Sequence, residues 1–525
     1  MKRFAAAILF CTGLYAEQPV TLLTGLGTWS HPIATRQPRA QKYFDQGLIL
    51  WYGFNRYEAL RSFRKAAELD PGAPMAYWGI SLALGPYVNM DMDPDIHMKE
   101  ACEALKTGLG INGISETDKA WLQAAQARCP DFSDAAKYVT AMRDLAARYP
   151  DDPDAQTLYA EALMLPVRWR WYGNDGKPAE GVPEAERILE AVMRREPYHP
   201  GANHLYIHVV ESSPTPERAI PSAQRLMGIV PAAGHMVHMP GHIWLVLGDY
   251  DNAVAVNERA VAVDREYFAK TGVTASSYYP YYLHNLQFIV YSRAMQGRLA
   301  DSRAVEAEFS DAVKPMAETM PDMADLFHIT ITMGQLRMRQ WDDLLAAPRP
   351  KADNGMAMAF WRFSRAMALA GKGRSDEARQ EQAAFERLQK TLDRSAPWGM
   401  NRTGSLMDLA STVLEARLET SPDAAASKWK RAVEIQDALV YDEPPEWYYP
   451  VRESLGAALL LSHDASGAEA VFREGLRRSP NNGRMLFGLH EALVQEGNGE
   501  AAAWVQKEFQ AAWKGADVQL RIGDL

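Results

Sequence analysis

Three cysteines in 525 residues are too few to make the chain a disulfide scaffold, and their spacing does not fit a thiolate zinc knuckle. Positive charge is short as well. Against 66 Asp and Glu there are 56 Lys and Arg, so the formal charge is −10 and the pI near 5.7. No basic stripe is available to grip nucleic acid, which is excluded as a partner. Beyond residue 16 no apolar run reaches the length of a membrane-spanning helix. A glycine-rich phosphate loop, a nucleophile elbow and a Ser/His/Asp set at meaningful spacing are also missing. What remains is an ordinary folding composition, 47% hydrophobic and 23% charged. At this length the chain is either several domains or one extended repeat array.

The first residues stand apart from the rest. Lys2 and Arg3 precede an apolar run at 4–14, then Tyr15 and Ala16. This is the layout of a cleaved export signal over residues 1–16, and it implies a periplasmic or secreted protein with no membrane attachment after cleavage. Cys11 follows the bulky Phe10, where lipidation would want a small residue. Cleavage leaves Cys102 and Cys129, which either pair in an oxidising compartment or stay as two buried thiols.

A proline-punctuated lead at 17–37 gives way to helical periodicity. In the stretch AQKYFDQGLILWYGFNRYEALRSFRKAAELDPGA, Gly47, Ala59, Phe63, Ala66 and Pro71 fall at the diagnostic spacings of a helix–turn–helix unit. It resembles the tetratricopeptide repeat. Small residues let the two helices approach, Phe63 fills the gap between them, and Pro71 stops the second. The pattern recurs with Gly241, Ala253 and Ala260, and again with Gly456, Ala468, Phe472 and Pro480. The resemblance covers the chain from about residue 38 and implies roughly ten to twelve hairpins. Residues 38–525 are thus expected to form one continuous all-α, right-handed superhelical solenoid whose first helices line a concave groove. The longest irregular pieces are expected at 85–98, 166–182, 266–280 and 440–448.

Against that background the histidines are concentrated. Residues 204–284 hold six of the chain's 12, where an even spread would put roughly two. His204, His208 and Glu211 are spaced four and three apart, so they share one helix face. His235, His238 and His242 do the same on the following repeat, and His284 with Gln287 falls at the matching offset of the next. The repeat resemblance aims all of them into the groove. Two histidines at i and i+4 can bind an ion from a single helical turn. Six would suffice for two ions, or for one ion with supporting partners. With no thiol in the set, copper is favoured, and zinc or iron would also fit nitrogen donors. Glu211 would be a ligand, an orienting carboxylate or a general base. Pro240 interrupts the middle group, so the helix either kinks there or starts there.

The segments HPGANHLYIHVVESSPTPERA, GHMVHMPGHIWLVLGDY and YYLHN resemble a group of secreted bacterial tetratricopeptide-repeat proteins carrying HxxxHxxE and HxxHxPGH motifs. The opening HPIATRQPRAQKYFDQGL and the later EPPEWYYPVRESLGAALL are similar to that group too. Where the group commonly reads near PWDYW, this chain has PVRWRWYG, so no acidic role carries over at that point. Two functions follow: a metal-dependent oxidoreductase acting on a small molecule or peptide, or a non-catalytic scaffold gripping a peptide or protein partner in the groove. Three further clusters are candidates for the groove. Trp169, Trp171 and Tyr172 suit a lid. Tyr278, Tyr279, Tyr281 and Tyr282 would line a channel or pack a helix start. Glu446, with Trp447, Tyr448, Tyr449 and Arg452, would cap the groove or pack between repeats. Met236 and Met239 read as core.

Overall fold

The computed structural model describes residues 19–89, 96–273, 276–318, 320–351 and 355–525. The expected export signal at 1–16 lies outside the described residues. Helices run from Pro38–Tyr52 to Gly499–Ala512, and the described strands are two residues each, Pro397–Trp398 and Asn401–Arg402. The fold is an all-α array of tetratricopeptide-like hairpins.

Local chemistry explains the boundaries. Proline opens Pro74–Leu84, Pro153–Met164 and Pro200–Glu211, where its missing N–H costs nothing and its φ suits the first turn. Asn55, Asp152, Asp249 and Asp464 accept hydrogen bonds from backbone N–H groups of the first turns they precede. Between hairpins, Phe63 is fully buried against two glycines. A Cβ at Gly47 would sit 2.7 Å from its ring and one at Gly79 2.3 Å. Phe472 is wedged in the same way between Gly456 and Gly488. One aromatic thus locks the helices of its own repeat and of the next, and nothing larger than glycine fits on either side.

One expected loop is shorter than the sequence indicated. The helix Tyr250–Thr271 runs on through 266–271 because Tyr267 and Phe268 continue its buried face, and Gly272 at φ +69° ends it. The next helix starts at Tyr279. Cys102 and Cys129 form a disulfide, with Cα atoms 5.9 Å apart, tying Met98–Leu109 to the turn after Glu116–Gln126.

The array coils tightly enough for distant repeats to meet. Asn174 donates to the carbonyls of Asp437 and Leu439 at 2.8 and 3.1 Å. Arg337 forms a buried pair with Glu453 at 3.0 Å, and the turn at Gly248 abuts Pro480. The concave side is therefore covered around the middle repeats rather than open along its length.

Glu161 on Pro153–Met164 is buried, with Arg128 3.7 Å away and Arg168 and Arg56 also facing it. Burial outweighs these cations and pushes its carboxyl up to about 7. The folded state therefore keeps a proton that the unfolded chain has already released, and stability falls as pH rises from about 4.5 to 7. Glu161→Gln removes that penalty. Urea unfolding at pH 8 is expected to show the variant more stable by about 3 kcal/mol, with near equality at pH 4.5. Equal stabilities at pH 8 would refute the assignment.

Candidate metal centre

The helix Pro200–Glu211 is fixed from its start. His199 accepts the N–H of Ala202 at Nδ1, which leaves its Nε2–H to donate to Asp154 at 3.1 Å. The same carboxylate accepts from Tyr52 at 2.6 Å, from His31 at 2.9 Å and from Trp29 at 3.2 Å. Burial opposes charge on Asp154, but its bonds to His199 and His31 win and hold the carboxyl far below its usual range. This node ties the lead segment to the array. Gly201 lies against the Tyr52 ring, 2.3 Å from where a Cβ would stand, so the helix approaches closely enough for His204 Nδ1 to reach the Tyr52 carbonyl.

All six sequence-predicted histidines and Glu211 come together. His204, His208, His235, His238, His242 and Glu211 are buried, and His284 is half-buried. Their grouping cuts across the repeats. His204, His208 and His235 form one cluster, with a ring nitrogen of each within 4.8 Å of the others. His238, His242 and His284 form another on the same criterion. The division falls inside the GHMVHMPGH motif, between His235 and His238 of the one short helix, while His238 and His242 stay together across the break at Pro240. Gly234–His238 is one helical segment and Pro240–Val246 the next, so both readings of the proline hold in part.

Hydrogen bonding fixes which ring nitrogen faces inward. A carbonyl or amide oxygen can only accept, so the imidazole nitrogen touching one carries the proton. His204 Nδ1 meets the Tyr52 carbonyl. His238 Nδ1 meets Asn257 Oδ1 at 2.6 Å, and Asn257 is itself oriented by donating to Ala253 O. His284 Nδ1 meets Gln287 Oε1 at 3.0 Å, with Gln287 donating to Thr330. Glu211 takes His208 Nδ1 at 3.2 Å on one oxygen and His242 Nδ1 at 2.7 Å on the other. Five imidazoles thus turn Nε2 toward the pocket, four of them with its lone pair free, while the carboxylates beside His242 favour its protonated form. Nε2 of His208 and Nδ1 of His235 have no partner among the described residues. His204 and His235 face each other Nε2 to Nε2 at 3.1 Å, close to the roughly 3.3 Å expected of two nitrogens on one tetrahedral ion. The His238–His242 pair, at 2.7 Å, is tighter and suits a shared proton.

Electrostatics follow from the same contacts. Burial and the neighbouring imidazoles drive His204, His235 and His238 well below their usual pKa, and His284 to about 3. Burial works against charge on His242 too, but Glu443 and Glu211 hold it up at about 10. For Glu211, the charge of His242 and His208 overcomes burial and brings the carboxyl to about 2. Burial and the charge of Glu211 push Glu443 up to about 8.

Sequence reasoning missed several walls of the pocket. Glu443 touches His242 Nδ1, whereas the residue singled out nearby, Glu446, is paired with Asp442 instead. Phe54 lies 4.4, 5.6 and 5.0 Å from His204, His208 and His235, ring centre to ring centre. Phe288 lies 4.6, 4.9 and 4.9 Å from His238, His242 and His284. Phe54 at φ +56° and Trp169 at φ +59° both hold a left-handed backbone that side chains avoid, and both rings abut the site. Trp169 and Trp171 pack on His208, whereas Tyr172, grouped with them in the sequence, donates to Glu186. Tyr278 receives the N–H of His235 and donates to Asp264, and Tyr281 packs on His235, while Tyr279 and Tyr282 pack on Phe268. Trp447 and Tyr448 are buried packing residues, Tyr448 against Tyr291. Met236 and Met239 are buried with the core. A cavity of about 320 Å³ has Glu443, Tyr250, Tyr291, Trp447 and Arg452 in its wall.

No protein-family model matches the sequence, and no curated protein matches it. Among solved structures the chain is similar to the APC/C hetero-tetramer Cut9–Hcn1, at 14% identity and TM-score 0.34 over 88% of this chain and 78% of that one. It is similar to a human IFIT1 dimer with PPP-AAAA, at 11% and 0.35 over 89% and 88%. It is also similar to yeast Tom70, at 13% and 0.30 over 90% of each chain. At these values the likenesses carry no argument, and the architecture rests on the hairpins and aromatic wedges themselves. Among the described residues no helix is long and apolar enough to cross a membrane.

Tyr52→Phe tests the anchoring node. It removes one hydrogen bond into Asp154 and leaves the carbonyl that holds His204. Urea unfolding is expected to show a loss of about 1–2 kcal/mol. An unchanged midpoint would show that the node contributes nothing to stability.

Proposed function

We propose that the chain is an exported metalloprotein that holds a transition metal in the buried histidine pocket, copper ahead of zinc or iron, and serves as a metal-dependent oxidoreductase acting on a small molecule. His204, His208, His235, His238, His242 and His284 are the proposed ligands. The observation that carries the reading is the uniform orientation of the rings. An acceptor at Nδ1 turns five Nε2 atoms inward, which is how metal-binding histidines are held in proteins, and His242 would release its Nε2 proton to an ion. The unpartnered Nε2 of His208 supports it, because a buried polar atom left without a partner costs about 1–3 kcal/mol unless something occupies the site.

Neutral nitrogen donors without thiolate suit copper, and a bound copper ion would supply one-electron redox chemistry. Glu211 has both oxygens engaged by His208 and His242, which fits an orienting carboxylate better than a general base. The cavity with Glu443 in its wall is a route by which a small molecule reaches the pocket's edge. Phe54, Phe288, Trp169, Trp171 and Glu443 wall the buried histidines, and this favours a small substrate over an extended peptide at this place. The disulfide is in keeping with an oxidising compartment, periplasmic or extracellular.

Metal analysis of protein purified without a histidine tag tests the reading. The wild type is expected to carry stoichiometric metal, and a His208→Ala/His238→Ala variant of unchanged helicity to lose it. Full retention by the variant would overturn the ligand set. A milder change probes orientation alone: Asn257→Leu removes the acceptor for His238 Nδ1, and metal affinity by competition titration is expected to fall 10–100-fold. An affinity equal to that of the wild type would remove the orientation argument.

A further inference from the structure

The two histidine clusters are built alike. His204 and His208 stand four apart on one helix and are joined by His235 from the next repeat. His238 and His242 stand four apart across the Pro240 break and are joined by His284 from the repeat after. Each cluster is therefore an HxxxH pair completed by one imidazole from the following unit, and the two share no residue. Each also surrounds a single phenylalanine, Phe54 in the first and Phe288 in the second, whose ring touches all three members.

We propose that the pocket is a paired metal centre, holding one ion on His204, His208 and His235 and a second on His238, His242 and His284. This deepens the metal reading above and rests on it. Three nitrogens are the usual protein share of an open coordination site, with a further position left for an exogenous ligand. Six nitrogens in two sets of three thus match two ions, whereas one tetrahedral ion would leave at least two imidazoles buried without purpose. Glu211 joins the halves. One of its oxygens accepts from His208 and the other from His242, so a single carboxylate orients one ligand in each cluster. The clusters are adjacent: ring centres of His208 and His242 are 5.5 Å apart, and those of His235 and His238 5.6 Å. A small oxygen-donor ligand has the reach to touch both ions.

The competing arrangement is one ion on His208, Glu211 and His242, whose donor atoms also lie within 4.8 Å of one another. It would take one histidine from each cluster and use the Nδ1 faces. It would also leave four imidazoles, His204 and His235 in one cluster and His238 and His284 in the other, without an ion.

The discriminating experiment counts copper per chain. Tag-free full-length protein is loaded with excess copper(II) sulfate, desalted and analysed by mass spectrometry of the metal, with spins counted by electron paramagnetic resonance. The wild type is expected to hold two copper ions and to show fewer than two spins, because adjacent ions couple. His204→Ala/His235→Ala and His238→Ala/His284→Ala are each expected to hold one copper ion and one full spin. A wild type with one ion, lost in both variants, would overturn the pairing and leave the metal reading intact. A wild type that binds no copper, and none of zinc or iron in parallel loadings, would sink both. If either variant loses its helical circular dichroism, the wild-type ion and spin counts decide alone.

Discussion

An imidazole buried away from water must give one ring nitrogen to a hydrogen-bond acceptor, and that gift determines where the other nitrogen points. Everything at the centre of this chain follows from it. Tyr52 O, Asn257, Gln287 and the two oxygens of Glu211 each take an Nδ1 proton, and the remaining nitrogens converge. Burial keeps most of the rings neutral, which is the form a metal requires. The acceptors come from four places in the chain, so the repeat array is what makes the pocket possible. Each hairpin contributes a ring or an acceptor that its neighbour needs.

The array achieves this with few local rules. A glycine–phenylalanine–glycine wedge sets the approach of successive hairpins, and a carboxylate node at Asp154 pins the lead segment, the first hairpin and the His199 cap together. Those contacts are rigid because nothing in them can be enlarged without collision. The strained backbones of Phe54 and Trp169 are affordable only beside such a frame, and both side chains are spent on walling the histidines.

Much of this was legible in the sequence. The unit read from Gly47, Ala59, Phe63, Ala66 and Pro71 falls on the helices Pro38–Tyr52 and Arg56–Leu69 with Pro71 just beyond the second, because helix starts and small-residue spacings are local properties. The histidines were legible for the same reason, since i and i+4 positions share a face in any helix. What a linear reading could not give was the partition. That His235 joins His204 and His208 while His238, on the same short helix, joins His284 depends on how successive repeats rotate against one another. Glu443 was hidden for a similar reason. It reaches His242 only because the superhelix returns upon itself, and the acidic neighbour Glu446 carries an equally plausible local context. Phe54 sits in an inter-helix turn, and its positive φ has no sequence mark.

The return of the later repeats has a consequence for truncation. All six imidazoles lie on helices up to Tyr279–Met295, yet the carboxylate against His242 comes from Glu443, and Asn174 is held by the carbonyls of Asp437 and Leu439. A chain cut short after the middle repeats would keep every imidazole and lose that wall.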